Sequence, residues 1–340
     1  MEQEIKVCIY GATGYTGAEL IRLISQHPHI KLTSITSQSY KEKRLSEVFS
    51  HFKATKYGEL YLTQEPEEDF DLAFLCLPHE GSLELVPKLL EKGKKVIDLS
   101  GAYRIRDANM YPEYYQFEHT YTNILQEAVY GLPEVFREDV KRAKLVANPG
   151  CYPTATLLAL YPLLKRGTQL EWLVVDALSG ISGAGRKTTQ KFHYPEMESD
   201  AFAYSVNKHR HTPEIEDVIK RISGKSLSLR FTPQVIPMSR GMMVKVYAKC
   251  EQDQYTELYR ETYKEEPFVS ILEEPPHIKH VRGTNHCLIY CYYDTRVGML
   301  QVISVIDNLG KGASSQALQN FNLMMGLDET LGLKHTALYP

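Results

Sequence analysis

Ile5-Lys-Val-Cys-Ile-Tyr10, followed at once by Gly11-Ala-Thr-Gly14-Tyr-Thr-Gly17, decides how the chain begins to fold. The six leading residues read as a strand, and the glycines after them let the backbone turn sharply and approach a ligand closely. Leu20, Ile21 and Ile24 then recur at helical spacing among Glu19, Arg22 and Gln26, so an amphipathic helix follows Gly17 and ends before Pro28. Strand, glycine turn and helix in that order aim backbone N–H groups and the positive end of a helix at one point, a setting that holds a pyrophosphate. Gly11, Thr13, Gly14, Tyr15, Thr16 and Gly17 are therefore candidate cofactor contacts. The GxxGxxG spacing is one residue longer in its first gap than the common dinucleotide fingerprint, and its position between strand and helix gives it weight.

Outward from this turn the alternation continues to about residue 150. Strand-like runs at 30–36, 72–77 and 95–99 alternate with helical segments, the clearest at 82–92, which predicts repeated βαβ units and a parallel sheet. The run at 72–77 is continuously apolar, as a strand buried on both faces must be. The end of the second strand normally reads the adenosine ribose, where an Asp or Glu would bond the 2′-hydroxyl of NAD. This chain has none there. Thr36-Ser-Gln-Ser-Tyr-Lys-Glu-Lys-Arg44 supplies hydroxyls and cations suited to a 2′-phosphate, so NADP is the expected cofactor, with Ser37, Ser39 and Arg44 among its contacts.

From about 170 the pattern changes to longer strands at 170–178, 227–236, 242–250, 287–293 and 297–306, which predicts a mixed, largely antiparallel sheet in a second domain. An amphipathic helix is expected at 313–325. Residues 186–211, rich in His, Tyr and Glu with almost no apolar period, form the longest expected surface loop, a frequent seat of function. Three hundred and forty residues with 43% apolar and 24% charged side chains suffice for two ordinary domains. A formal charge of −3 offers no basic excess for nucleic acid, so the expected partner is a small molecule. The most apolar stretch, 155–164, is half of the ~20 residues that a membrane helix needs. With neither a basic n-region nor an apolar h-region before Gly11, a cytoplasmic location is expected.

The six cysteines are scattered without a Cys-x-x-Cys pair, so neither a disulfide framework nor a zinc site is expected. Cys151 stands apart, in Asn148-Pro-Gly-Cys-Tyr-Pro-Thr154 between a short apolar run and a helical one. Pro153 suits an early helical position, which sets Cys151 at or just before the first turn, where free N–H groups favour thiolate and can stabilise an oxyanion. A base is then needed. His209-Arg-His211-Thr-Pro-Glu214 offers two imidazoles, and Glu214, three residues after His211, could orient one of them. The choice between His209 and His211 stays open at this level. For an anionic substrate the candidate contacts are Ser100 and Arg104 after the 95–99 strand, Asn148, and Arg186 with Lys187; Lys208, Arg210 and Arg240 are further cations.

Taken together, these strings resemble the N-acetyl-gamma-glutamyl-phosphate reductase family, related to aspartate-semialdehyde dehydrogenase, over nearly the full chain. The resemblance is carried by the glycine turn, Leu77-Pro-His79, Asp98-Leu-Ser100, Tyr130-Gly-Leu-Pro-Glu134, the Cys151 string, Ser179-Gly-Ile-Ser-Gly-Ala-Gly-Arg186, the HRHTPE string and Asp307-Asn-Leu-Gly-Lys-Gly-Ala313. It implies a thioester on Cys151 and an acid–base group from the HRHTPE segment. It also implies a nicotinamide lying against Asn308 and the Leu77-Pro78 turn, with Ser182 and Gly183 as further cofactor contacts. Where the family commonly has an acidic residue and Phe after Asp98-Leu-Ser100, this chain has Gly101-Ala-Tyr103.

The resulting expectation is an α/β chain. Residues 1–148 form a Rossmann-type NADP-binding domain, 149–310 an α+β domain for catalysis, substrate and oligomerisation, and 311–340 a C-terminal helix returning to the first domain. The expected reaction is NADPH-dependent reduction of an acyl phosphate in arginine biosynthesis, by a homo-oligomer (dimer or tetramer), without a metal. An aspartate-semialdehyde dehydrogenase-type enzyme and a non-catalytic NADP-sensing regulator are the alternatives on the same fold.

Overall fold

The computed structural model describes residues 4–187 and 189–339; Met1-Glu-Gln3, Thr188 and Pro340, which belong to the expected domains and loop, lie outside the described residues. The chain divides into two compact units. The first comprises Met1–Ala108, Phe117–Pro149 and Ala313–Lys334; the second comprises Asn109–Gln116, Gly150–Gly312 and His335–Pro340.

In the first unit the strands are β1 (Ile5–Tyr10), β2 (Ile30–Thr36), β3 (Leu62–Thr63), β4 (Leu72–Leu75), β5 (Lys95–Asp98), β6 (Val129–Tyr130) and β7 (Leu145–Ala147). They form a seven-stranded sheet in the order β3-β2-β1-β4-β5-β7-β6, and every pairing is parallel. Strand order reverses between β1 and β4, and the Gly11 turn leaves β1 at that switch point, where open α/β sheets bind ligands.

The last helix of this unit, Ser315–Met324, lies within the expected span, and all ten of its residues, polar ones included, are buried. Its amides serve as internal donors: Gln316 Nε2 and Asn320 Nδ2 both reach Gly131 O, at 2.9 and 2.8 Å, and Asn320 Nδ2 also meets Asn148 Oδ1 at 3.0 Å. Polar residues can be buried when hydrogen bonds replace their water, and hydropathy patterning is blind to such partners.

The second unit carries β8 (Trp172–Gly180), β9 (Phe202–Ala203), β10 (Arg230–Ile236), β11 (Met242–Lys249), β12 (Val269–Ile271), β13 (Cys287–Asp294) and β14 (Met299–Ile306), in the order β12-β13-β14-β11-β8-β10-β9. The β8–β10 and β12–β13 pairs are parallel and the others antiparallel, so the sheet is mixed, as the strand lengths suggested. Burial alternates strictly along β11 because helices Cys151–Arg166 and Tyr255–Tyr263 cover one face only. Helix His211–Ser223 packs on helix Cys151–Arg166.

The expected loop at 186–211 is more structured than its composition implied. It contains the 3₁₀ turn Gln190–Phe192, the short helix Tyr194–Met197 and β9, which pairs with β10. Elements this short leave no periodic signature. The excursion Asn109–Gln116, with its helix Met110–Tyr115, also joins the second unit, although nothing in its tyrosine-rich sequence separates it from its neighbours.

Candidate active site

In the first unit Gly11 has φ +78°, and a Cβ there would fall 2.3 Å from Cys76 O; at Gly17 one would fall 2.7 Å from Gly11 O. Both glycines are demanded by the turn's own packing. Gly14 is different: it caps the N-terminus of helix Tyr15–Ile24 in an ordinary extended conformation, and a Cβ would meet only Gly11 O at 3.8 Å. The turn thus ends at the N-terminus of a helix, the kind of terminus whose N–H groups hold a pyrophosphate. Thr13 Oγ1 and Ser37 Oγ share a hydrogen bond of 2.9 Å, joining the glycine turn to the end of β2. The Thr16 carbonyl accepts Ser314 Oγ at 2.8 Å, and Tyr15 is exposed. Ser39, Lys41 and Lys43 are exposed along the loop. Arg44 pairs with Glu59 at 2.8 Å and lies over the Tyr61 ring, both in the open. Leu77 and Pro78 leave β4, Pro78 capping helix His79–Glu91.

Three residues expected to bind substrate have structural work in this unit. Ser100 closes a turn on Asp98, donating its N–H and Oγ–H to the carboxylate at 2.9 and 2.8 Å. Asn148 Nδ2 donates to Ala313 O at 3.1 Å. Arg104 is buried and donates to Asn148 O and Leu99 O at 2.7 and 2.8 Å. A guanidinium presents five donors, and these two bonds tie the end of β5 to the Asn148-Pro-Gly turn.

In the second unit Cys151 is the first residue of the sixteen-residue helix Cys151–Arg166, with Gly150 as its cap. Glu214, fully buried in the first turn of helix His211–Ser223, accepts the Gly150 N–H at 2.9 Å. A cavity of about 360 Å³ opens on Cys151, His209 and His211. The two rings stand edge to face at 4.7 Å between centroids, and His211 also meets the Tyr152 ring at 5.9 Å.

Here the two imidazoles part company. His209 Nδ1 accepts the backbone N–H of His211 at 3.1 Å, which leaves the proton of the neutral ring on Nε2, facing Tyr204 Oη at 3.4 Å. Burial, aided by the neighbouring Arg210 charge, lowers the His209 pKa to about 4. His209 is thus held neutral with Nδ1 committed to the backbone, while His211 lines the same cavity beside Cys151.

Tyr114, Lys191, Phe192, Tyr204, Lys208 and Arg210 also line this cavity. Lys191 lies over the Phe192 and Phe202 rings, at 4.9 and 5.9 Å. Sequence reasoning missed Tyr114, Lys191, Phe192 and Tyr204; the aromatic residues clustered near 111–115 and 192–204 were the only signal. Gly183 lines the same cavity. Asn308, buried, accepts the Gly241 N–H at 2.7 Å and donates to Ser182 Oγ at 2.9 Å, which fixes the 3₁₀ turn Ile181–Ala184. Arg186 and Lys187 follow that turn, Lys187 exposed. Burial pushes the thiols of Cys76 and Cys291 up to about 12 and raises that of Cys8 as well, which makes these three poor nucleophiles. Among the described residues no His, Cys, Asp and Glu cluster is placed to hold a metal ion, and no helix is long and apolar enough to cross a membrane.

An open dinucleotide turn on a parallel sheet, joined in one chain to a helix-borne cysteine among imidazoles on a mixed sheet, defines the semialdehyde dehydrogenase class. Residues 6–143 match the family model for the semialdehyde dehydrogenase NAD-binding domain, and 151–308 that for the dimerisation domain. The solved aspartate semialdehyde dehydrogenase II from Vibrio cholerae, complexed with ASA, superposes with a TM-score of 0.75 at 18% identity, covering 96% of this chain and 99% of that one. Aspartate semialdehyde dehydrogenase with NADP from Candida albicans gives 0.70 at 15% identity, covering 95% and 99%. Identities this low speak for the fold alone. An N-acetyl-gamma-glutamyl-phosphate reductase from Aquifex aeolicus is 57% identical over 340 residues, covering 100% of both chains, and one from Desulforudis audaxviator is 46% identical, covering 99% and 100%. The chain belongs to the N-acetyl-gamma-glutamyl-phosphate reductase family.

Proposed function

We propose that this chain reduces N-acetyl-gamma-glutamyl phosphate to N-acetylglutamate 5-semialdehyde and phosphate with NADPH, a step of arginine biosynthesis in the cytoplasm. The observation that carries the reading is one cavity holding Cys151, His211, Lys191, Lys208 and Arg210. The cations suit a substrate with a phosphate and a carboxylate, and the thiol suits an acyl carbon.

Cys151 gives its proton to His211 and attacks the acyl carbon; the C–O bond to phosphate breaks, and a thioester remains. Backbone N–H groups of the first helical turn face the oxyanion. Glu214, by holding Gly150, fixes where that turn begins. The bound dinucleotide supplies the hydride that reduces the thioester carbonyl. Collapse of the thiohemiacetal oxyanion releases the aldehyde, and His211 returns its proton to the sulfur.

NADP is favoured over NAD by the hydroxyls and cations after β2. Arg44 must leave Glu59 to reach a 2′-phosphate, and an exposed pair of that kind, screened by water and salt, holds it only weakly. The cofactor contacts assigned are the Gly11–Gly17 turn, Ser37, Ser39, Leu77, Pro78, Ser182, Gly183 and Asn308. The chain is also assigned a second copy, making a homo-oligomer: the helix-free face of the second sheet presents Trp172 and Tyr292, both exposed, in a region matching a dimerisation domain. The reaction is tested in reverse, by NADPH formation from NADP, phosphate and N-acetylglutamate semialdehyde. Aspartate semialdehyde turned over with equal efficiency would move the chain to the sister activity, and cofactor binding without any turnover would make it a sensor.

A further inference from the structure

We infer that Gly312 and Asp307 are positioning residues for the Cys151 thiol, an inference that rests on Cys151 being the nucleophile. The starting observation is a collision that only glycine avoids. A Cβ built at Gly312 would lie 2.8 Å from Cys151 Cβ and 3.2 Å from its Cα. Relaxed carbon–carbon contacts run at ~3.5–4.0 Å, so the backbone of Gly312 is the wall against which the stem of the nucleophile rests.

That wall is anchored by a single carboxylate. Asp307 is completely buried and accepts three backbone N–H groups, from Gly283 at 2.6 Å, Leu309 at 2.9 Å and Gly310 at 3.0 Å. Arg240 Nε adds a fourth donor at 3.0 Å. The Asp307 carbonyl takes the Gly312 N–H at 2.9 Å, closing the wide turn that opens the π-helical segment Gly310–Ser314. Such wide turns are unusual and tend to occur at functional sites. Anchor and wall are thus one rigid piece, with the carboxylate fixing the turn and the turn setting where Cys151 Cβ can lie. Glu214 restrains the same helix start from another direction, through Gly150. A burial pattern explains neither the glycine nor the number of donors on one carboxylate; a requirement to hold a sulfur in one place explains both.

The test is Gly312→Ala in the full-length protein. An added methyl pushes the Cys151 stem by ~1 Å, and a misplacement of that size costs ~10²-fold in rate. The expected result is a kcat about 10²-fold lower with KM for the aldehyde and phosphate within about threefold. The pH midpoint for alkylation of Cys151 by iodoacetamide should also move, while Cys8 and Cys287 stay unreacted. A kcat within about threefold of the parent overturns the proposal, and so does a rate loss that appears only together with alkylation of Cys8 and Cys287. If Gly312→Ala fails to fold, it should fold in a Cys151→Gly background, where the 2.8 Å contact is gone and only the approaches of 3.2 Å to Cys151 Cα and Asp307 O remain to be relieved; failure there too overturns the proposal. Asp307→Asn should move the alkylation midpoint in the same direction, and an unmoved midpoint removes Asp307. Turnover by Cys151→Ser would remove the nucleophile reading itself, whereas loss of turnover there beside an unaffected Gly312→Ala would remove only this inference.

Discussion

Two helix starts, one in each unit, use the same local device for opposite purposes. Helix Tyr15–Ile24 is capped by Gly14, where a Cβ would meet only Gly11 O at 3.8 Å. Helix Cys151–Arg166 is capped by Gly150, whose N–H is taken by Glu214, and Gly312 closes on its first residue. The first suits the anion that the proposed cofactor would bring. The second suits the proposed task of holding one of its own residues still. A helix terminus is therefore only an electrostatic offer; what the surrounding chain leaves open or fills decides whether it binds a ligand or activates a side chain.

Substitutions can break this contrast. Cys151→Ser should have the largest effect, taking turnover below about 1% of the parent, because an alkoxide is far less accessible than a thiolate, while NADPH binding measured by fluorescence persists. Turnover above a few per cent would show that the closed helix start does not serve a thiol. His211→Asn should cost ~10²–10⁴-fold and erase the imidazole limb of the pH–rate profile. His209→Asn should cost much less in rate, since that ring is buried and neutral with Nδ1 on the His211 N–H. A larger loss from His209→Asn would reverse the assignment.

Gly14→Val sharpens the other side of the comparison. A Cβ there would meet only Gly11 O at 3.8 Å, so the fold should survive with at most the small loss of a poorer cap, while KM for NADPH rises by ~10-fold or more, about 1.4 kcal/mol of lost binding. An unchanged KM would mean that the space in front of Gly14 is not a phosphate cradle.

A further expected effect is on acid stability and treats the units alike. His27, bonded to Asn322 at 2.9 Å in the first unit, and His209 in the second are both lowered to about 4, chiefly by burial, from 6.5. The unfolded chain takes up these protons first as the pH falls, so stability is lost progressively from about 6.5 down to about 4. Urea midpoints at pH 7, 6 and 5 should decline, and His27→Gln should flatten the slope. A slope that His27→Gln leaves unchanged would take that ring out of the account.

Much of the fold was legible because its signals are short-range. The strand, glycine turn and helix at 5–24 lie within one run of sequence, and the long strands of the second half announce themselves by length and β-branched content. Patterning shows helix Ser315–Met324 but not the burial of its polar face, because it cannot see Gly131 O or Asn148 waiting for those residues. Nor does it show that Arg104 bonds Asn148 O and Leu99 O.

By itself the sequence determined that a glycine turn follows the first strand, that Cys151 begins a helix, and that two imidazoles and a carboxylate stand close together after residue 208. Those are consequences of spacing, glycine and proline within a few residues. Only the tertiary structure decided that His209 is buried against the Tyr152 and Phe231 rings, that Glu214 holds Gly150 across 64 positions, and that Gly312 rests against Cys151. These contacts depend on atoms brought together by the packing of whole helices and strands. A polar side chain's role is set by which donor or acceptor it meets there, and that partner is not written beside it in the chain.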